Sequence, residues 1–242
     1  MPGGNVNVAM MRRIFESEKI SDVLDAMYQS CADLGADKFS YHPEIMFEGV
    51  ASAKSDVYSQ GFLDEWMELY LQGGARLIDP IPDFIMQIGK PTTFRDAVAC
   101  LNLSKAGTEY IKAVRKMGLS SGMGFPLWGP QGHNAFAAAG SADADLVWSP
   151  ATIKAQHMVL LAGHQKIVEL LPEGGAVPAL STREVEVLTW IGRGKSNTDV
   201  GTILQISPET VATYIRRIFT KLDCHDRIGA VIKALKLGLI RV

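Results

Sequence analysis

The sequence predicts an α+β domain followed by a small all-α domain. Across residues 1–171, helical patterns alternate with short strand-like segments, which indicates an α-β-α sandwich with a central antiparallel sheet. Across residues 180–242, apolar side chains recur at helical spacing, and capping signals divide this stretch into four helices. Residues 172–179 contain Pro172, Gly174, Gly175 and Pro178 and are predicted to form a linker.

The elements of the first domain follow from local patterns. A helix is predicted over residues 22–34, because Leu24, Met27, Cys31 and Leu34 share one face and Gly35 can end it. The other predicted elements are strands at 38–41 and 45–50, helices at 62–71 and 108–117, strands at 123–128 and 135–139, and a helix from 150 to about 171. A turn at residues 129–132 separates the last two strands, and Ser149-Pro150 is a helix start signal.

The second domain opens with a capping box. In Ser181-Thr182-Arg183-Glu184, the serine hydroxyl can accept the glutamate N–H while the carboxylate accepts the serine N–H. Gly194 can end this helix, and Ser196 or Asn197 can cap a short second helix that carries Val200, Ile203 and Leu204.

A tight turn at Gln205 and Ile206 leads to the third helix. Ser207-Pro208-Glu209 supplies an N-cap, a proline at the first position and an acid in the first turn. The third helix is predicted to bury Val211, Ile215, Ile218 and Leu222, and a fourth helix over residues 227–237 ends at Gly238. The second and third helices form a helix-turn-helix, whose second helix meets base edges in the DNA major groove.

The charge distribution agrees with DNA binding by this domain. Residues 180–242 carry a net charge of +4, whereas the remainder carries −6 and the whole chain −2. The alternative is that these helices are part of a larger helical domain with ordinary surface lysines.

Composition limits the class of protein. The 242 residues suffice for two domains and contain no apolar run long enough to span a membrane. The first residues, MPGGNVNVAMMRR, lack the apolar core of a signal peptide. Cys31, Cys100 and Cys224 are odd in number and lack metal-ligand spacing, which is typical of reduced thiols. We therefore expect a cytoplasmic protein.

The chain contains no pattern of catalytic or metal-binding residues. The histidines lack metal-ligand spacing, and His157 and His164 are expected to be solvated or interface residues. No Ser/His/Asp, Cys/His or phosphate-loop pattern is evident. We expect neither an enzyme, nor a metal site, nor a cofactor.

Residues 180–240 resemble the DNA-binding domain of LuxR-type transcriptional regulators. The matching positions are Thr182, Glu184, Leu188, Gly194, Lys195, Ile206, Ser207, Thr210, Val211, Lys221, Leu222, Arg227 and Ala230. Asp199 and Gly201 depart from the usual glutamate and alanine, and Gly201 is expected to loosen the second helix slightly. The resemblance implies a double-stranded DNA operator as partner and a DNA-binding surface formed by Lys195, Ser207, Glu209, Thr210, Ala212, Thr213, Arg216, Arg217 and Lys221.

The first domain determines the type of regulator. It lacks the acidic pair, phosphoacceptor aspartate and later lysine of a receiver domain. It contains instead Trp66, Tyr70, Asp79 and Pro80 in the spacing W-x3-Y-x8-D-P, followed by GLSSGMGFPLWGPQG from Gly118. Both segments resemble the acyl-homoserine lactone-binding domain of quorum-sensing receptors.

This resemblance assigns roles that fit the ligand's chemistry. An indole N–H from Trp66 can donate to the lactone carbonyl, the Tyr70 hydroxyl to the amide carbonyl, and Asp79 can accept the amide N–H. Because a buried carboxylate is costly without partners, we expect Asp79 to be hydrogen-bonded within the protein as well. The expected ligand contacts are Phe62, Trp66, Tyr70, Asp79, Ile81, Phe94, Gly122 and Ala138.

Other interpretations remain open. An aromatic stripe on a helix is usually core, and Asp-Pro is usually a turn. Phe62, Phe94 and Ala138 stand where the family often has tyrosine, tryptophan and serine or threonine. These departures predict a roomier, more apolar pocket that favours longer or bulkier acyl chains over short or 3-oxo ones. The same departures fit an orphan regulator that responds to a non-lactone small molecule or acts without ligand, and an enzyme with an appended DNA-binding domain is a further alternative.

A regulator that reads a pseudo-palindromic operator is expected to be a homodimer. The predicted dimer contacts come from the long helix before Pro172 and from the final helix.

Overall fold

The computed structural model describes residues 8–43, 57–64, 67–68, 70, 74–171 and 178–242. Contacts divide the chain into two units, Met1–Leu171 and Pro172–Val242. The predicted strand at 45–50, Trp66 and most of the predicted linker lie outside the described residues.

The described part of the first unit consists of helices around one sheet. The helices are α1 (Val8–Glu16), α2 (Ile20–Ala32), α3 (Ala75–Ile78), α4 (Ile81–Ile88), α5 (Phe94–Cys100), α6 (Lys105–Lys116) and α7 (Pro150–Leu170). The strands are β1 (Lys38–Pro43), β2 (Tyr58–Gln60), β3 (Thr92–Thr93), β4 (Ser121–Leu127) and β5 (Ala135–Ser141). The strand order is β2-β1-β5-β4-β3, and every pairing is antiparallel.

The two faces of the sheet carry different side chains because neighbouring residues of a strand point to opposite sides. Phe39 and Tyr41 of β1 pack into a large apolar core with α1, α2 and α7. On the other face, Phe136 and Ala138 of β5 join a smaller apolar cluster with α4 and α5. The predicted α+β sandwich with a central antiparallel sheet is confirmed.

Several boundaries differ from the sequence prediction. The helix predicted to begin at residue 108 begins three residues earlier, because the Ser104 hydroxyl accepts the Gly107 N–H and caps it. Described residues 64, 67, 68 and 70 have helical backbone, but Phe62 lies before them in a bend. The sequence prediction missed the helices α1, α3, α4 and α5 and the short strands β2 and β3. None of the helices in the described ranges is long and apolar enough to cross a membrane.

Buried polar groups join α7 to the sheet, and they correct one expectation. His164 is buried, with Nε2 donating to the carbonyl of His133 and Nδ1 accepting from the Tyr41 hydroxyl, each at 2.8 Å. The half-buried His157 bonds to the carbonyl of Pro126 at 2.8 Å. The expectation that both are solvated or interface residues was wrong for His164, because these partners allow a neutral imidazole to be buried. Burial lowers the pKa of His164 to about 4.

The described residues 178–242 of the second unit form four helices: α8 (Thr182–Gly192), α9 (Asn197–Leu204), α10 (Pro208–Leu222) and α11 (Arg227–Lys236). Their core includes Val187, Leu188, Val200, Val211 and Ile218. Ile203 of α9 is exposed, and Ile215 of α10 is only half-buried. The buried face of each helix therefore contains fewer of the predicted apolar residues than expected.

Candidate ligand-binding site and DNA-binding surface

A cavity of about 650 Å³ lies in the first unit, on the face of the sheet toward α4, α5 and α6. Its volume falls within the roughly 300–1,000 Å³ typical of small-molecule sites. The predicted ligand contacts that line it are Phe62, Tyr70, Asp79, Ile81, Phe94, Gly122 and Ala138. The remaining predicted contact, Trp66, lies outside the described residues.

Asp79 is the centre of a polar cluster on the cavity wall. It follows α3, and its Oδ1 accepts the N–H of Ile81, the first residue of α4, at 3.1 Å. Its Oδ2 accepts hydrogen bonds from the hydroxyls of Tyr110 at 2.9 Å and Tyr70 at 3.2 Å. The expected hydrogen bonds from the protein to this carboxylate are therefore present.

Burial and hydrogen bonding act on Asp79 in opposite directions. Burial raises the pKa of its carboxyl group, while the hydrogen bonds from Ile81, Tyr110 and Tyr70 lower it, and the pKa is about 6. At neutral pH the carboxylate is ionised and acts as an acceptor. A carboxylate has about four acceptor sites, so a donor on a small molecule can join the three protein donors.

Glycines on β4 let large side chains pack directly on the sheet beside this cavity. A Cβ at Gly122 would overlap the ring of Phe94, so the glycine lets α5 approach the sheet closely. Ala138 lies opposite Gly124 in the β4–β5 register, and a Cβ at Gly124 would overlap Ile85 and Phe136. Side chains from the helices therefore reach the sheet here without filling the space beside it.

The sequence prediction missed several polar residues of the cavity, among them Tyr110, Ser40 and His42. Tyr110 lies in the predicted helix over 108–117, where Tyr110, Ile111 and Val114 share a face, but its partner Asp79 is 31 residues away. Ser40 and His42 alternate with Phe39 and Tyr41 in β1, which is the signal that they face the opposite side of the sheet.

The cavity reaches the surface of the first unit. Arg95, Arg115 and Val147 line it and are all exposed. Val147 is 81% exposed, so this part of the wall is in contact with solvent.

In the second unit, the predicted caps organise the helix-turn-helix. The capping box at Ser181 and Glu184 is present, and a second one joins Ser196 to Asp199 at the start of α9. Gln205 adopts a left-handed conformation with φ of 56°, and Ser207 caps α10. A Cβ at Gly201 would lie 2.7 Å from the carbonyl oxygen of Ile206, so this glycine lets α9 pack against the turn.

The predicted DNA contacts lie at or near the surface of this unit. Ala212 and Thr213 are half-buried. The others are exposed: Lys195, Ser207, Glu209, Thr210, Arg216, Arg217 and Lys221. Along α10, Arg216 donates to the Thr213 hydroxyl at 3.2 Å, and the guanidinium group of Arg217 lies 5.8 Å from the centre of the Tyr214 ring.

Glu184 is the main buried charge of the second unit. Its Oε2 accepts from Lys221 Nζ at 2.7 Å and from the Ser181 N–H at 2.6 Å. Burial raises the pKa of this carboxyl group, but the hydrogen bonds outweigh burial and lower it overall. Lys221 also donates to the carbonyl of Ala179 at 3.1 Å, which leaves one of its three donors for another partner.

Two family models match the chain. The autoinducer binding domain matches residues 19–166, and the luxR family of bacterial regulatory proteins matches residues 178–234. The quorum sensing-dependent transcriptional regulator RpaR of Rhodopseudomonas palustris is 31% identical over 76% of this chain and 75% of its own length. The transcriptional activator SolR of Ralstonia nicotianae is 33% identical over 78% of this chain and 79% of its own.

The chain belongs to the LuxR family of transcriptional regulators. A crystal structure of Escherichia coli SdiA has the same fold, with a TM-score of 0.65 and 20% identity over 97% of this chain and 98% of that one. This LuxR-family regulator combines an autoinducer-binding domain with a DNA-binding helix-turn-helix. The family is one of transcriptional regulators and not of enzymes.

Proposed function

We propose that the autoinducer is an N-acyl-homoserine lactone and that residues 1–171 form the ligand-binding and dimerisation domain. The observation that carries this proposal is the cluster of Asp79, Tyr70 and Tyr110 on the wall of a largely apolar cavity. A ligand with one amide and a long hydrocarbon chain has this same distribution of polar and apolar groups.

The amide of the ligand binds at Asp79. Its N–H donates to the carboxylate, which already accepts from Ile81 and Tyr110. The Tyr70 hydroxyl, whose 3.2 Å bond to Asp79 is the longest of the three, turns to the amide carbonyl. The indole of Trp66 donates to the lactone carbonyl, as the sequence resemblance implies.

The acyl chain extends along the sheet past Ile81, Phe94, Gly122 and Ala138. The small side chain of Ala138 leaves room beside the Phe94 ring, which packs directly on Gly122, for a long or bulky chain. The open end beside Arg95, Arg115 and Val147 allows a chain longer than the enclosed part to reach solvent.

We further propose that the regulator binds a pseudo-palindromic operator as a homodimer, with residues 180–242 reading the DNA. The N-terminal part of α10 enters the major groove, where Glu209, Ala212 and Thr213 face bases and Arg216 and Arg217 contact phosphates or bases. The sugar-phosphate backbone of the DNA is contacted by Lys195, Ser207 and Thr210 and by the remaining donor of Lys221.

Exposed apolar side chains support self-association. On α11, Ile228, Ile232 and Leu235 form one exposed stripe and are 71%, 49% and 41% exposed. Ala230 and Ala234 of the same helix are buried, so the opposite face of α11 already packs within its own unit. On α7, Met158 is 55% exposed. The stripe on α11 and the outer side of α7 form the dimer contacts.

The ligand stabilises the folded, dimer-competent sensor by mass action. A lactone at a hundredfold excess over its dissociation constant contributes about 2.7 kcal/mol if it binds only the folded state. It fills an apolar cavity, so it also adds contacts that the sensor lacks without it.

The test is thermal unfolding of the full chain with lactones of graded chain length. We expect a rise in melting temperature that increases with chain length up to an optimum. A protein that folds well but is stabilised by no lactone would instead support an orphan regulator with a non-lactone ligand or none. If only short chains stabilise it, the proposed long-chain preference is wrong, while lactone binding stands.

A further inference from the structure

The short helix α9 depends on polar contacts at its two ends for its position. Val200 and Gly201 are the buried residues of its eight, all of which the structure describes, so it contributes little apolar surface to the core. At its C-terminal end, the Arg183 guanidinium group of α8 donates to the Leu204 carbonyl at 2.5 Å. Its N-terminal end is held from α11.

Arg227, the first residue of α11, makes the contact at the N-terminal end. One nitrogen of its guanidinium group donates to the side-chain oxygen of Asn197 at 3.0 Å, and another donates to the backbone carbonyl of Lys195. These two acceptors flank Ser196, the N-cap of α9. Because a guanidinium group is planar and holds its donors in a fixed fork, the two bonds set both the distance and the orientation of the corner between α8 and α9.

The corner between α8 and α9 carries a residue proposed above to contact DNA. Gly194 has a left-handed backbone with φ of 78°, and the Lys195 N–H donates to the Trp190 carbonyl at 3.1 Å. The Lys195 carbonyl accepts from Arg227, so both backbone polar groups of this lysine are bonded within the unit. Lys195 itself is exposed, whereas Arg227 is half-buried.

We propose that Arg227 is a positioning residue for DNA binding, which fixes the backbone of Lys195 so that its ammonium group meets a phosphate. This inference rests on the proposed contact between Lys195 and the DNA and adds the residue that maintains it. A lysine side chain is long and flexible, so placing its charge at a phosphate costs more conformational entropy when its backbone is also free to move. Arg227 acts through Lys195 and not through a contact of its own with the DNA.

A double-mutant cycle of Arg227→Gln and Lys195→Ala tests this role. Dissociation constants are measured for the full chain and an operator selected from random duplex DNA. We expect each single variant to weaken binding by about fivefold. The double variant should bind no more weakly than Lys195→Ala alone, because the effects of two residues that act through one contact do not add.

The salt dependence of binding separates this role from a loss of stability. The slope of log affinity against log salt should fall by about 1 in both single variants and by no more in the double variant, because all three lose the same phosphate contact. A variant that is merely less stable binds more weakly at every salt concentration and keeps the wild-type slope.

Lys233→Gln is the matched control for the loss of charge. Lys233 lies on the same helix, but it donates to the Asp223 carbonyl after α10, at 3.4 Å, and not to the corner before α9. This variant should weaken binding less than Arg227→Gln does, and by the same factor with and without Lys195→Ala. Arg227→Lys keeps the charge without the fork, so its affinity should lie between those of the wild type and Arg227→Gln. If Arg227→Gln does not fold, the same cycle is run with Arg227→Lys.

The failure of this inference is distinguishable from that of the proposed function. If Arg227→Gln keeps the wild-type affinity, or weakens binding equally with and without Lys195→Ala, Arg227 does not act through Lys195 and only its role is wrong. If Lys195→Ala binds the operator as tightly as the wild type, the proposed contact of Lys195 fails and this inference fails with it. If the wild type selects no operator, the proposed operator binding itself is wrong.

Discussion

The two units of this chain place their polar side chains in opposite ways. In the sensor unit, Asp79, Tyr70 and Tyr110 surround a cavity inside the fold. In the DNA-binding unit, the four helices close on an apolar core, and the polar groups proposed for function lie at the surface. The main buried charge there, Glu184, is already paired with Lys221.

This difference indicates that the sensor unit binds its partner inside the fold and the DNA-binding unit binds its partner at the surface. The sensor has unfilled volume and an acceptor site inside, so a ligand can complete its core and change its stability. The DNA-binding unit presents its donors outward on a scaffold that local caps and the Glu184–Lys221 ion pair already stabilise. Substitutions at the two kinds of site should therefore have different consequences.

The largest expected effect is on ligand binding at Asp79. Asp79→Asn keeps the shape of the side chain but removes the charge that accepts the amide N–H. We expect lactone affinity to fall by about 2 to 3 kcal/mol, roughly 30- to 150-fold, measured by titration of the full chain. Asp83→Asn, an exposed neighbour on α4, is the control and should bind normally. Equal losses in both variants would contradict the assigned role of Asp79.

The next effect is on the stability of the DNA-binding unit. Glu184→Ala removes the capping-box carboxylate and leaves Lys221 to be solvated, so we expect about 2 kcal/mol of destabilisation. Hydrogen exchange of the α8 and α10 amides in the full chain measures it. Glu186→Ala on the same helix breaks only a surface pair with Arg183 and should cost less than about 1 kcal/mol. Similar losses in the two variants would show that the buried pair has no special role.

A smaller effect is expected at the DNA-binding surface. Arg216→Ala should weaken binding to an operator selected from random duplex DNA by about 1 kcal/mol without changing stability. The slope of log affinity against log salt should fall by about 1 if the lost contact is to a phosphate. Lys236→Ala, on α11, is the control. Unchanged affinity of Arg216→Ala at matched salt would contradict its placement at the DNA.

The smallest expected effect is on the pH dependence of the sensor. The pKa of Asp79 is raised to about 6, so its contribution to stability is present at low pH and is lost as pH rises toward 6. The pKa of His164 is lowered to about 4, so its contribution is present above its usual pKa of 6.5 and is lost as pH falls toward 4. The two contributions offset each other between about pH 4 and 6.

Asp79→Asn removes the pH-dependent contribution of Asp79 to stability and leaves that of His164. The variant should therefore lose more stability on acidification than the wild type, measured by urea unfolding of the full chain across that range. A wild type and variant with parallel pH profiles would show that Asp79 does not titrate in the folded sensor near pH 6.

Elements that depend on interactions between residues close in sequence were easier to predict than elements that depend on distant contacts. The caps at Ser181, Ser196 and Ser207 each join residues three apart in sequence. Local patterns predicted Ser181 and Ser207, and they offered Ser196 as one of two candidates beside Asn197. Helices α4 and α5 were missed because their short apolar segments do not reveal helical periodicity on their own. Their positions depend on glycines of β4 that let Ile85 and Phe94 reach the sheet.

The sequence by itself determined the helix-turn-helix and the longer helices and strands, because capping and periodicity are local properties of the chain. The residues expected to contact the ligand came from motif spacing and the resemblance to the autoinducer-binding family that it carries. Only the tertiary structure brought Tyr110 to Asp79 across 31 residues and placed Ser40 opposite Ala138. The pairing of strands and the packing of helices on the sheet fix those neighbours, which lie far apart in the chain.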